Sequence, residues 1–391
     1  MQTPPSTQRK CKRGFLQAYL EYTDQQESPE LFHFWAAVSV LSMALGRKCS
    51  IKRGFYNCYP NQYIIIVSES ARCRKTVSAD IAVSLYRAAN IGGVFQGKLT
   101  TRSLSQYLAT QTIQTGTGAC FIYSPELGRL LGADSYTSGL MVAITDYYGC
   151  PAEDEVLTAT QGVDKPKNIF INILGCTVPQ WLSSMPSDMV EGGFSSRTLF
   201  IVQNTPRKPN PRPIITAQLT QLYVDLIHDL QTIALIEGDY VLTESAEVYY
   251  DTWYSAAYTH IDEQDPRLRA YFARKGEHVL KLAMCLSASE SSKLVIEHWH
   301  IQNALTFLKQ AELYMPTAFR GVSFSDSTKH MDRILNQIRE GGGHVDRATL
   351  LRKNRFYLDT IELERIIETL AASNLLRREL KSGRWHYYLL E

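Results

Sequence analysis

The strongest apolar run in the chain, Tyr63-Ile64-Ile65-Ile66-Val67, is β-branched and unbroken, which predicts a buried strand. It stops at Ser68-Glu69-Ser70-Ala71, passes Arg72-Cys73-Arg74 and Lys75-Thr76, and gives way to a helical period over Val77–Ala89. Ala119–Tyr123, Ile169–Leu174 and Thr198–Gln203 repeat the strand pattern. Helical patterns lie between them at Ser103–Gln111, with Thr101 as its cap, at Leu140–Tyr148 and at Gln180–Met185. Upstream, Phe15–Thr23 and Glu30–Leu45 read as two helices divided by a polar break ending at Ser28-Pro29. Gly46 supplies a C-cap, and the longest apolar stretch, Phe34–Leu45, is too short to span a bilayer and reads as a core helix. Lys48–Asn57 predicts a strand and a turn.

Thr205–Pro213 is proline-rich and reads as a linker, the clearest break in the pattern. Long helices follow over Thr216–Ile236, Glu244–Gln264, Pro266–Ser287 and Glu297–Phe319. The character changes again over residues 328–391. Met331–Ile338 is an amphipathic helix, His344–Asp346 a short strand and Arg347–Lys353 a short helix. Asp359 and Glu362 form a capping box for a helix to Ser373, and Leu375–Leu380 with Trp385–Leu390 form a hairpin. Helix, strand, helix, helix and two-stranded wing is the order of a winged helix. The whole pattern predicts an α/β fold: a helical N-terminal region (1–58), a P-loop NTPase core of the RecA/AAA+ kind (59–204), a linker (205–215), a helical lid (216–327) and a winged-helix domain (328–391).

The bulk numbers narrow the class. A length of 391 residues suits two or three domains, and 45% hydrophobic with 20% charged residues is ordinary for a soluble globular protein. A net charge of +2 neither requires nor excludes nucleic acid, so any basic surface must be local. Eight cysteines without a CxxC pair favour reduced core thiols in a cytosolic protein over disulfides or zinc. The basic N-terminus, MQTPPSTQRKCKRG, lacks the apolar segment of a signal peptide and reads as a flexible arm. In the winged-helix region the basic residues cluster at Arg352, Lys353 and Arg355 and at Arg377, Arg378, Lys381 and Arg384 on the wing. The helix that would read bases carries Glu362, Glu364 and Glu368, which favours contacts to DNA backbone, or a protein-contact role instead.

Strand, tight turn, Lys-Thr and helix is the layout of a phosphate-binding loop, in which first-turn amides cradle phosphate and a lysine neutralises it. The glycines of that motif are missing: Glu69 and Arg74 occupy their positions, so an ordinary strand–turn–helix with a solvated basic turn fits equally. Glu126 follows the second strand, where an acid would align a water or Mg²⁺; a surface carboxylate is the other reading. Thr177 stands after the third strand, as a γ-phosphate sensor or a helix cap. Gly192-Gly193 before Arg197 suit a positioned cation or a hairpin turn, and Arg274 suits a lid cation or a basic first turn.

Taken together, these pieces resemble a family of phage-, plasmid- and island-borne P-loop proteins described as replicative-helicase-like or primase-helicase-like. The resemblance covers residues 14–320. It rests on Ser28-Pro29 with Trp35, Tyr59-Pro60-Asn61, Arg74-Lys75-Thr76, Pro125-Glu126-Leu127, Gly175 to Leu182, Gly192 to Arg197 and Arg274 to Leu282. It implies that Ser70, Arg74, Lys75 and Thr76 bind ATP, with Thr76 on Mg²⁺, that Glu126 polarises water and that Thr177 senses phosphate. Arg197 would be a finger in trans and Arg274 a lid sensor. Such chemistry implies a homo-oligomer, most naturally a hexameric ring, acting on single- or double-stranded DNA beside other replication proteins in the cytoplasm of a bacterial host, without a membrane. The rival expectation is a catalytically weak or inactive P-loop protein serving as a DNA-binding initiator, scaffold or helicase loader.

Overall fold

The computed structural model describes residues 8–131, 139–158, 162–183, 193–261, 265, 268–318, 326–355, 358–381 and 383–390. The chain forms two compact units, one of Met1–Ser184 with Asp188–Phe319, the other of Arg320–Glu391 with Met185–Ser187.

The first unit is mixed α/β. Its strands are β1 (Cys49–Arg53), β2 (Tyr56–Cys58), β3 (Tyr63–Val67), β4 (Val94–Phe95), β5 (Ala119–Ser124), β6 (Val156–Thr158), β7 (Gly162–Asp164), β8 (Phe170–Thr177), β9 (Thr198–Val202), β10 (Gly238–Asp239), β11 (Val241–Leu242) and β12 (Val295–Ile296). Five of them make a sheet in the order β4-β5-β8-β3-β9, parallel throughout. All five residues of β3, all eight of β8 and all five of β9 are buried, which is why they read as unbroken apolar runs rather than alternating ones. The apolar run predicted to end at Leu174 therefore continues through Gly175-Cys176-Thr177 inside the strand. The sheet is tightly packed at Gly175, where a Cβ would lie 3.1 Å from the Leu127 side chain.

Helix α1 (Phe15–Tyr22) and helix α2 (Glu30–Leu45) precede the sheet, and every residue of α2 from Phe32 to Leu45 is buried. Helix α3 (Lys75–Ala89) packs on α2 and β8, and α2 lies against β3, β8 and β9. Buried Asn172 docks α2 to the sheet: its Nδ2 donates to the Ser39 carbonyl at 2.8 Å, and its Oδ1 accepts from Ser42 Oγ and the Gln62 amide at 2.9 and 2.7 Å. Helix α4 (Thr101–Thr115) starts two residues earlier than expected, because Thr100 rather than Thr101 is its cap and forms a capping box with Ser103.

Two sequence expectations are corrected here. Residues 8–14 are not a loose arm. The buried Asp229 carboxylate accepts from the Lys10 and Cys11 amides at 2.6 and 3.0 Å and pairs with Arg9 at 3.2 Å. Nor does the proline-rich stretch mark a break in the first unit. Arg207 pairs with Asp24 and Glu30 at 2.8 and 2.9 Å, and Asn210 and Ile214 donate to Glu27 and Gln25, so the stretch is strapped to the α1–α2 loop. Proline composition signals chain without ladder bonds, which describes a surface strap as well as a hinge.

The second unit has the predicted order. The Asp326–Glu340 helix, β13 (His344–Asp346), the Arg347–Asn354 and Thr360–Ala372 helices, β14 (Leu376–Lys381) and β15 (Arg384–Leu389) follow one another, and the sheet order is β13-β15-β14. Ile334, Ile338, Leu350, Leu363, Ile367 and Tyr387 are among the residues of its separate core.

Candidate functional site: two edges of the parallel sheet

Lys75 opens α3 after the loop that leaves the carboxyl end of β3, the edge of an open parallel sheet at which ligands bind. The loop between them keeps the backbone shape that glycine would provide. Ala71 and Arg74 hold φ values of 59° and 45°, in the left-handed region, at a cost of about 1 kcal/mol or more each. Neighbouring contacts hold Arg74 there: its carbonyl accepts from Ser28 Oγ at 3.1 Å and its guanidinium pairs with Glu27 at 2.7 Å. Ser28, read as part of a helix start, is thus also a brace for this loop. Glu69 turns outward, pairing with Arg72 at 3.0 Å, and its amide donates to Asn204 at 3.0 Å. Its charge is therefore directed at a guanidinium, and Ser70 beside it is exposed. Lys75 Nζ donates to the Ser68 carbonyl at 3.2 Å and lies 3.5 Å from that of Glu69. Among the described residues, the Lys75 and Thr76 amides have no acceptor, as befits the first turn of a helix.

Thr177 ends β8 in register with Val67, and its carbonyl accepts from the Ser68 amide at 3.4 Å, so it adjoins the loop. Ser124 pairs with Gly175, which puts exposed Glu126 level with Thr177, two strands and about 10 Å sideways from β3. Glu126 is the N-cap residue of a short Leu127–Leu130 helix, and its carbonyl accepts from Ser124 Oγ at 2.8 Å. One contact that sequence reading missed ties this edge together: Tyr123 on β5 donates to Asp80 on α3 at 2.6 Å.

Arg197 and Arg274 are elsewhere. Thr198 pairs with Tyr63, the first residue of β3, so Arg197 lies at the amino ends of the strands, about 16 Å along β3 from Lys75's loop. Arg197 ends a five-residue helix, Gly193–Arg197, where the sequence suggested a hairpin; its guanidinium donates to the Gly193 carbonyl at 2.7 Å. Arg274, on the Arg269–Glu290 helix, lines the same cavity as Arg197. Burial, and then the charge of Arg274, holds the Arg197 guanidinium below its ordinary pKa. Lys275 is committed to Glu312 at 2.7 Å. Gly192 lies outside the described residues.

No protein-family model and no curated protein matches this chain.

His278 links these elements. Nε2 lies 3.0 Å from the Ser196 carbonyl and Nδ1 lies 3.3 Å from the Tyr148 hydroxyl, which suits a neutral ring with Nε2–H donating. Burial lowers its pKa from 6.5 to about 4, and burial with the charge of Arg207 does the same for His33. Both folded values lie below the unfolded one, so their stabilisation is complete above pH 6.5 and is lost as pH falls from there toward 4. Each can remove on the order of 3 kcal/mol. Urea titrations stepped across this window are expected to show that loss, and His278→Gln should flatten it. A stability constant from pH 7 to 4.5 would contradict both assignments.

In the second unit, Arg352, Lys353, Arg355, Arg377, Arg378 and Lys381 are all exposed. The β14–β15 hairpin splits its cations by strand alternation. Arg377 and Lys381 lie over Tyr388, at 5.3 and 4.9 Å, while Arg378 lies 5.9 Å over Trp385 on the other face. Arg352 shares a groove with Trp385. Arg384 opens β15 opposite Lys381. Two of the acids on the Thr360–Ala372 helix are used internally: Glu362 closes the capping box and Glu364 pairs with Arg347 at 2.5 Å.

Among the described residues no cluster of three or more His, Cys, Asp or Glu side chains could hold a metal, and no helix is long and apolar enough to cross a membrane.

Proposed function

We propose that the chain is an ATP-driven, P-loop-type motor acting on DNA, of the helicase or translocase kind that copies a phage or other mobile element, with a C-terminal winged helix that contacts DNA. The observation that carries this reading is the division of polar residues between the two edges of one parallel sheet. Lys75, Thr76, Thr177 and Glu126 share the carboxyl edge, while Arg197 and Arg274 lie together at the amino edge. Arg74's left-handed backbone and Lys75's ammonium suit a triphosphate with Mg²⁺ at the first turn of α3. When bound, the magnesium nucleotide supplies the phosphoryl group to be hydrolysed. Lys75 would neutralise its charge, Glu126 would hold the attacking water and Thr177 would report the terminal phosphate. The two arginines are too far along the sheet to reach a nucleotide held by their own Lys75, so their chemistry belongs to a neighbouring copy and calls for a closed ring.

Arg197→Ala is the test. ATP turnover is expected to fall about 10³-fold or more while nucleotide binding is retained. Intact turnover in that variant removes the in-trans role. A second reading, a DNA-binding initiator or helicase loader with a weak site, is favoured by one observation: Lys75 is occupied by two main-chain carbonyls and the loop lacks glycine. A fork-unwinding assay with and without ATP separates a motor from a loader.

A further inference from the structure

The β1–β2 hairpin presents an unusual tip. Arg53 pairs with Tyr56 across a two-residue turn, Gly54-Phe55, with Gly54 at φ 63°. Phe55 is fully exposed and Tyr56 is 60% exposed, although both are aromatic and neither side chain is covered by the unit's core. The hairpin is not a loose flap, because β1 also pairs with β10 and Lys52 is held to Asp239 at 2.6 Å. Strand β2, with Arg53 at the end of β1, forms one wall of the amino-edge cavity, about 1020 Å³, which Tyr59, Arg197, Tyr254 and Arg274 also line.

Two carboxylates line that cavity, Asp146 and Glu277. Glu277 is shared between Lys281 at 3.4 Å and Arg274 at 3.5 Å, and Lys281 is further bound to Tyr59 and Asn61. Among the described residues, Arg53 and Arg197 form no ion pair; Arg53 lies 5.1 Å from the centroid of the Tyr250 ring instead. The Arg53 guanidinium, without an ion-pair partner among the described residues, stands beside exposed Tyr56 and bare Phe55 and fits a ligand that alternates phosphate with a stackable base.

We propose that this hairpin and the cavity behind it grip single-stranded nucleic acid, with Phe55 and Tyr56 stacking on bases while Arg53 meets phosphates. Single strands fit and duplex does not, because bases inside a duplex stack only on each other and offer no face to Phe55. The hairpin belongs to the first unit, whereas the basic β14–β15 hairpin belongs to the second. The inference rests on the motor reading only for the expectation that DNA is the substrate; it is independent of whether Lys75 supports hydrolysis.

The test is fluorescence anisotropy of the full chain with a labelled oligothymidylate and with a duplex, without ATP. The double variant Phe55→Ala, Tyr56→Ala is expected to bind the single strand about tenfold or more weakly, with duplex affinity unchanged. Arg53→Ala should reduce the salt slope of single-strand binding by about 0.7. Because both aromatic side chains lie in solvent, the double variant should melt like wild type. Wild-type affinity in the double variant, or no oligonucleotide binding by the wild type, overturns the assignment. So does a change in sedimentation with affinity intact, which would make the hairpin a contact between copies. Absent ATP turnover with intact hairpin-dependent binding would sink the motor reading alone.

Discussion

Lys75→Ala is expected to lower ATP turnover about 10²–10³-fold and to weaken nucleotide binding about tenfold or more, leaving the fold intact. The geometry explains why one side chain carries so much. The first-turn amides of α3 carry only partial charge, so the full positive charge at this turn is that of the Lys75 ammonium. In the present conformation the ammonium donates to the Ser68 carbonyl, a neutral acceptor worth less than a phosphate oxygen. Exchanging one for the other is the event that would make Lys75 a phosphate ligand. Ser28 and Glu27 hold Arg74 in its strained conformation, so the loop needs little rearrangement when that exchange occurs. Single-turnover phosphate release decides the matter. Equal background release from wild type and variant would leave the chain as a scaffold.

Asp229→Ala carries the second large effect, about 3–5 kcal/mol of lost stability. The Asp229 carboxylate is fully buried and accepts from two amides of residues 8–14 while facing Arg9, which is itself 13% exposed. Burial alone would raise its pKa, but the Lys10 and Cys11 amides and the Arg9 charge outweigh it and hold the group below the usual carboxylate range. Removal leaves Arg9 with a charge in a poorly solvated place and two amides without acceptors. Arg9 also donates to the Ala288 and Ser289 carbonyls, so the loss should loosen the packing of residues 8–14 on the Arg269–Glu290 helix. Urea denaturation and the rate of tryptic cleavage after Arg9 to Arg13 report it. A change below about 1 kcal/mol would show that the clasp is ornamental.

Much of this architecture was legible before any coordinates. The β-branched run at 63–67 and the apolar runs at 119–123 and within 198–203 marked strands buried on both faces, because only such strands dispense with polar alternation. The break ending at Ser28-Pro29 and the terminal Gly46 placed α2 within its observed bounds, Glu30–Leu45. Capping chemistry at Asp359 did the same for the last helix, since a capping box is a local contact written in four consecutive residues. Lys75 and Thr76 could be named from their place after a strand.

Tertiary structure decided what depends on residues far apart in the chain. Strand order set Thr177 beside the Lys75 loop and put Arg197 at the opposite end of β3, which periodicity cannot express. The anchoring of residues 8–14 depends on Asp229, more than two hundred residues away. The strapping of 205–214 depends on Glu27 and Gln25 in the same long-range way. The basic aromatic hairpin was written in Lys52-Arg53-Gly54-Phe55-Tyr56, yet its exposure and its cavity exist only once β1, β2 and the Arg269–Glu290 helix are assembled. Sequence alone thus determined the long helices and the buried strands, because those are governed by neighbours within a few residues, but not short pairings such as β6–β7 and β11–β12, which depend on their partners. Which side chains meet was decided by the packing of the parallel sheet, because its crossovers join strands that are remote along the chain.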